Sequence, residues 1–435
     1  MYQFRQPLIK EQSRNAPRSS SLREQVPPWM EGPHLQETTL QRPTSSLTKA
    51  PHIRSHLLVR VGLFLLVFLV CLGIFISLVQ FSPLASLLGG SQTQATPIGH
   101  SSTSSIFQVV QRPSEVNDQM RAMGQEKIHA FESALGHIQR TGKDVAHYQA
   151  QLQHYRTQLA ALLTRRDYIA FLIQIGSDLA SMQQDLADNQ PQPMLNQFKT
   201  EAQDWGKAHL YHDPFDKKDY YLNSSYLSMD GHNGYFYGES AYLNDEIRAN
   251  SPQVMQDIKD DYFLHAMLEA NYEDTTSYNQ PHQVDQSLLA YYGLQNADVL
   301  VVSLTEQSMR IYHNGTLKQS LLLTTGRVYR PTPVGHFHMS THYENLTLTS
   351  YDAPSSPDYY TPVVVRDAVQ FWDNGYLIHS SQWRKDYGPM TQFPHNDSGG
   401  DPEASVGSHG CINVAPSILR TLAPTITTQT HLIIF

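Results

Sequence analysis

Two of the 435 residues are cysteines, Cys71 and Cys411, and they lie in opposite surroundings. Cys411 sits in Ser408-His409-Gly410-Cys411-Ile412-Asn413, a small and polar run downstream of Tyr376-Leu377-Ile378-His379-Ser380. A thiol becomes a strong nucleophile once a base has taken its proton. A residue with no side chain beside it lets a substrate carbonyl approach the backbone, where N–H groups can hold a developing oxyanion. A histidine on a neighbouring strand, oriented by a third group, completes the logic of an acyl-transfer site. These roles point to Cys411 as nucleophile and His379 as base, with Gly410 giving access. A pair of cysteines in so long a chain excludes a disulfide-stapled fold and a Cys-rich zinc module. The net charge of −9 argues against a nucleic-acid partner.

The elements that must position these residues begin with a segment that carries Cys71. Residues 1–60 hold nine Lys/Arg and four acids, a charge of +5, and the rest of the chain is −14. Val61 to Val79, VGLFLLVFLVCLGIFISLV, has no charge. As a helix it would rise roughly 28 Å, about the hydrocarbon thickness of a bilayer. Arg42, Lys49, Arg54 and Arg60 precede it, and no charge follows until Arg112. By the positive-inside rule the N-terminus is expected in the cytoplasm and residues 80–435 outside. Cys71 then faces lipid or a partner helix, and Cys411 is left as the lone exported thiol, either an intermolecular staple or a nucleophile.

The tail before the span is rich in Pro, Ser, Gln and Arg and is expected to be disordered. The Ser/Thr/Gly/Gln-rich stretch after it suits a flexible spacer. From Glu115 the pattern turns helical. Ile128, Phe131, Leu135 and Ile138 follow 3-4-3 spacing, and Tyr148, Leu152, Tyr155, Leu159 and Leu162 resume it after a slip near Gly142. A helical stalk is expected, with a coiled-coil seam through which it would self-associate as the alternative to packed helices. Asn189-Gln-Pro-Gln-Pro193 breaks it. Residues 206–297 hold twelve of the 24 tyrosines, which read as core, with stacking on sugar rings as the functional alternative. Ser251-Pro252 opens a helix and Gly293 closes another. At Val299 the period becomes that of strands, with Asn314-Gly315 marking a hairpin, and a β-rich domain runs to His431-Leu-Ile-Ile-Phe435.

The run Ser408 to Asn413 resembles the Ser/Thr-His-Gly-Cys-hydrophobic-Asn/Arg motif of L,D-transpeptidases of the YkuD type. Gly326 with Arg330-Pro-Thr-Pro-Val-Gly335-His-Phe resembles that family's upstream strand and Thr-Pro-x-Gly turn. His379-Ser380 with Trp383, and Val414-Ala-Pro-Ser417 after the cysteine, resemble the actinobacterial members. The resemblance covers Val299–Phe435. It implies a mainly β, YkuD-like sandwich as the C-terminal catalytic domain, preceded by an α-helical stalk and middle region and one transmembrane helix. It also implies a two-step reaction in cell-wall biogenesis. Cys411 would attack the third residue of a tetrapeptide donor stem of peptidoglycan, D-Ala would leave, and an amine of an acceptor stem would resolve the thioester into a 3→3 cross-link. Water as acceptor would make the enzyme an L,D-carboxypeptidase. Gly410 and Cys411 amides would form the oxyanion hole, Ser380 or a nearby carbonyl would orient His379, and Ser408, His409 and Asn413 would shape the turn. Tyr351 or Tyr360 would belong to a lid.

The resemblance departs in one place: 28 residues separate His379 from Ser408, about twice the family's usual number. The excess is placed in the loop Lys385–Glu403. His395 is nearer the usual spacing, but its turn-rich setting leaves His379 as the expected base. No cofactor is required. His336 and His338 would share a strand face and, with His342, have the look of zinc ligands; they are read as a polar strand face and no metal is expected. The chain is thus expected to comprise a tail (1–56), a transmembrane helix (57–80), a spacer (81–114), a helical stalk (115–205), a Tyr-rich, mostly helical region (206–297) and the catalytic domain (298–435).

Overall fold

The helical periodicity after Glu115 becomes packed antiparallel helices rather than one long rod. In a computed structural model the described residues are 96–97, 114–186, 190–227, 229–230, 236–350, 352–356, 358–372 and 375–435. The expected tail, transmembrane helix and nearly all of the spacer lie outside them, as does Tyr351. Among the described residues no helix is long and apolar enough to cross a membrane.

After a short strand β1 (Thr96–Pro97), α1 (Asp118–Arg140) starts at Asn117, whose side chain accepts from the Met120 amide at 2.8 Å. It buries Ile128, Phe131, Leu135 and Ile138, and ends where Gly142 turns the chain with φ +80°. The slip in the pattern is therefore a reversal into α2 (Ala146–Ala161), which buries Tyr148, Leu152, Tyr155 and Leu159. Next come α3 (Arg165–Leu186) and, with proline in its first turn, α4 (Pro191–Ala208). Two small hairpins follow, β2 (Leu210–His212) with β3 (Asp219–Tyr221) and β4 (Met229–Asp230) with β5 (Phe236–Tyr237). Then come α5 (Glu239–Arg248), α6 (Val254–Glu273) and α7 (Gln283–Tyr291). α6 is buried nearly all round. It packs on α3 so closely that a Cβ on Gly176 would lie 2.5 Å from that of Ala266. Residues assigned by sequence to a stalk and to a Tyr-rich region thus share one core.

The β-rich part has two sheets. β6 (Asp298–Ser303), β7 (Ser308–His313) and β8 (Thr316–Leu322) form a meander. The β7–β8 turn is Asn314-Gly315, both at positive φ, as a two-residue hairpin of this twist requires. β9 (Gly335–His338) follows, and the six-stranded sheet runs β1-β8-β7-β6-β14-β9, with β14 (His431–Ile434) parallel to β6 and antiparallel to β9. The second sheet runs β10 (His342–Leu348), β11 (Val363–Trp372), β12 (Tyr376–Ser380), β13 (Ile412–Val414). The sheets meet through rings such as Phe337 on β9 and Phe371 on β11, 5.3 Å apart. α8 (Pro416–Leu422) follows β13.

A buried ion pair ties the helices to the first sheet. Arg310 on β7 has no exposed surface; its Nε and one terminal nitrogen donate to the two oxygens of Asp285 on α7 at 2.5 and 2.9 Å. Tyr312 Oη donates to the same carboxylate at 2.6 Å, and Glu306 also accepts from Arg310. A bidentate guanidinium–carboxylate pair with every face satisfied is a geometry in which charge tolerates burial.

Candidate active site

The strand pair β12–β13 places the expected nucleophile and base. The two strands are parallel, and His379 lies opposite Asn413. Cys411 comes directly before β13, two residues ahead of the Asn413 that pairs with His379. A β12–β13 crossover holds 31 residues, and the parallel direction is what lets one turn, Ser408–Cys411, end beside a histidine so far back in the chain.

His379 is 3% exposed. Its Nδ1 lies 2.9 Å from the Ser380 carbonyl oxygen, which only accepts, so Nδ1 carries the proton and Nε2 the lone pair. The Asn413 side-chain Nδ2 donates to Nε2 at 3.1 Å. Burial, with Arg384 nearby, lowers His379 from the ordinary 6.5 to about 4, so the ring is a neutral base at neutral pH. The orienting group is the Ser380 carbonyl. The Ser380 hydroxyl is used elsewhere, donating to the Arg366 carbonyl at 2.8 Å and accepting from its amide at 3.2 Å. That clasp closes β12 onto β11 next to Asp367, which lies within β11 at φ +55°.

Cys411 is half-buried and free. Its thiol donates to the Gly375 carbonyl, at 3.7 Å, and burial pushes it up to about 11. Thiol and imidazole therefore each rest on another partner. Ser408 braces the turn: its hydroxyl donates to the Cys411 carbonyl at 2.5 Å and accepts from the Gly410 amide at 3.1 Å. One of the two expected oxyanion donors thus points at Ser408. Gly410 has φ +112°, and a Cβ there would sit 2.6 Å from the Tyr376 ring, so glycine is required on both counts.

The Gly326–Gly335 stretch supports the turn from below. Thr332 Oγ1 accepts from the Gly326 amide and donates to the Gly410 carbonyl, both at 2.8 Å. The Thr324 carbonyl accepts from the Asn413 amide at 2.8 Å, and that of Thr325 from the Ser408 amide at 2.9 Å. His409 points away from Cys411. Its Nε2 donates to the Asp358 carbonyl at 2.9 Å, and its ring lies 5.0 Å from that of Tyr360. Asp358 pairs with Arg327 at 3.4 Å and Arg330 at 3.6 Å. Asp358 and the expected lid residue Tyr360 are thereby anchored to the rim of the turn.

The long loop after His379 is a built structure. Asp397 accepts from the amides of Lys385 and Asp386, while Asp386 accepts from the amide and hydroxyl of Ser398, at 2.7–3.0 Å. Arg384 donates to the carbonyls of Ala404 and Val406, 2.7 and 2.8 Å away. Phe393, 1% exposed, lies between Tyr211 and Tyr220 of the β2–β3 hairpin, with centroids 5.0 and 5.1 Å away and rings near parallel. Sequence reasoning missed this role of two of the tyrosines, and only the coincidence of a Tyr-rich segment with an aromatic in the insertion pointed to it. His395 bonds the Phe393 carbonyl at 2.8 Å within this loop. The histidine cluster also differs from expectation: His336 and His338 are joined by His431 of β14, and His342 starts β10 in the other sheet.

Residues 297–434 match the family model of the YkuD L,D-transpeptidase catalytic domain. L,D-transpeptidase 1 of Mycobacterium tuberculosis is 28% identical over 129 residues, 28% of this chain and 45% of that protein, so the chain spans about half the length of the curated relatives it matches. Among solved structures, the crystal structure of that enzyme aligns with TM-score 0.25 and 21% identity over 32% of this chain and 61% of the other. The catalytic domain of an Enterococcus faecium L,D-transpeptidase aligns with TM-score 0.26 and 28% identity over 32% and 98%. Over its C-terminal third the chain is thus similar to L,D-transpeptidase catalytic domains of the YkuD family.

Proposed function

We propose that the protein is a peptidoglycan L,D-transpeptidase that acts through a thioester on Cys411. The observation that supports this is the register of β12 and β13, which sets Asn413, two residues after Cys411, opposite a buried His379 whose Nδ1 lies against the Ser380 carbonyl. The family match of residues 297–434 supports the reaction class.

In the first step the Asn413 side chain gives way and His379 Nε2 takes the thiol proton as Sγ attacks the carbonyl carbon of the third stem residue. Charge on the carbonyl oxygen is met by the Cys411 amide and by the Gly410 amide, for which the oxygen competes with Ser408 Oγ. The carbon–nitrogen bond to D-Ala breaks, and the imidazolium proton leaves with the amine. An acceptor amine then attacks the thioester, forming the 3→3 amide and returning the thiol. Water in its place gives carboxypeptidase activity.

Incubation of the full chain with tetrapeptide muropeptides, followed by mass spectrometry, tests this. D-Ala release, a thioester on Cys411 and cross-linked dimers are expected. Cys411→Ala should abolish all three. The absence of both D-Ala release and adduct from the unaltered chain overturns the proposal. The ratio of dimer to trimmed monomer separates cross-linking from hydrolysis.

We also infer a single-pass membrane anchor over Val61–Val79, with the catalytic domain on the wall side, supported by the charge asymmetry that flanks this segment. Protease added to intact cells should then remove the C-terminal domain and spare residues 1–60. Protection of the domain in intact cells would refute it.

A further inference from the structure

His336, His338 and His431 bring three imidazoles together on the outer face of the six-stranded sheet. β9 and β14 are antiparallel, with His338 opposite His431 and His336 opposite Ile433. His336 and His338 alternate with the buried Phe337 and share the outward face. Ring centroids lie 4.6 to 5.2 Å apart, and one nitrogen from each residue falls within 4.8 Å of the other two. His336 Nε2 and His431 Nδ1 are already 2.9 Å apart. The Tyr292 ring, 4.7 Å from His336, walls one side. The acyl transfer proposed above uses none of these residues.

We propose that these three histidines bind a divalent transition ion of the zinc class, leaving the fourth tetrahedral position to water. Zinc–nitrogen bonds of about 2.0–2.1 Å place tetrahedral ligand nitrogens about 3.3 Å apart. One pair here is closer than that, and the widest separation must close by at most about 1.5 Å. His338 is exposed and can make that movement by side-chain rotation. Three imidazoles without thiolate or carboxylate suit borderline ions and not magnesium or calcium. The ion would staple edge strand β9 to β14. β9 leaves directly from the segment whose Thr332 hydroxyl holds the Gly410 carbonyl, so the staple would steady the strand that braces the nucleophile turn.

Zinc sulfate titrated calorimetrically into the metal-stripped full chain tests the proposal, with cobalt as a spectroscopic probe. One saturable zinc site is expected, and cobalt should give the visible bands of a tetrahedral nitrogen site without thiolate charge transfer. Loss of an outer partner weakens metal sites by about 10- to 100-fold, so His338→Ala and His431→Ala, which remove ligands, should each weaken zinc binding by at least that. Cys411→Ala should leave it unchanged. His338 is exposed, so its variant keeps the fold even where that of His431 does not. Absence of a saturable site overturns the proposal. So does a site that survives His338→Ala, or one lost in Cys411→Ala with a thiolate–cobalt band, which would place the ion at the nucleophile.

Discussion

Free Cys411 should be a poor nucleophile at neutral pH. Burial moves its thiol from 9.0 to about 11, and the proton is held toward the Gly375 carbonyl. At pH 7 about one molecule in 10⁴ then carries the thiolate, about 100-fold fewer than for a thiol at 9.0. His379, lowered to about 4, is neutral at the same pH. The resting pair is therefore thiol and imidazole, not thiolate and imidazolium, and substrate must bring the two into contact. Iodoacetamide alkylation measures this directly, with the Cys411 peptide quantified by mass spectrometry so that Cys71 does not interfere. The rate should climb about tenfold per pH unit above neutrality and level off near the thiol's own value. His379→Ala should barely change that profile while abolishing thioester formation with muropeptide. A fast, pH-independent plateau across pH 5–8 that disappears in His379→Ala would reveal a preformed ion pair and refute the neutral-pair reasoning.

Other consequences are accessible to simple measurements. His379 and His409 are both held neutral, each lowered from 6.5 to about 4, His409 by burial and by Arg327. The unfolded chain binds those protons first, so their stabilisation is complete above pH 6.5 and is lost as pH falls toward 4. The melting temperature should drop through that window, less steeply in His409→Asn; a flat profile would contradict it. Asp285→Ala leaves the buried Arg310 guanidinium with Glu306 as its one carboxylate partner and should cost about 3–5 kcal/mol, measured by denaturant unfolding; a loss below 1 kcal/mol would show the pair to be dispensable. Phe393→Ala empties the slot between Tyr211 and Tyr220 and should cost about 3 kcal/mol, seen as new protease cleavage within 385–403; an uncut loop would mean that the aspartate stitching holds it alone.

Local pattern made much of this protein legible before any coordinates. The 3-4-3 apolar spacing from Ile128 to Leu162 marks faces that are buried in α1 and α2, because a helix turns its side chains on a period set by its own backbone. Asn314-Gly315 announces its hairpin because few other pairs tolerate two positive φ angles in succession. Ser408 to Asn413 is readable because a nucleophile turn packs its glycine, thiol and hydroxyl into one short run. His379 is harder, since its place opposite Asn413 depends on strand pairing across the long loop.

What sequence alone determined are the features that neighbouring residues decide: the helical and strand periods, the turn chemistry, the charge step around an apolar segment and the motif of the C-terminal domain. Tertiary structure decided the partners that lie far along the chain. It assigned the orienting of His379 to a carbonyl and gave the Ser380 hydroxyl to Arg366. It brought His431 to His336 in place of His342, and set Phe393 against two tyrosines 173 and 182 residues upstream. Strand order, register and the reach of a folded loop made those choices, and each is a sum of many weak contacts that no short stretch of sequence carries.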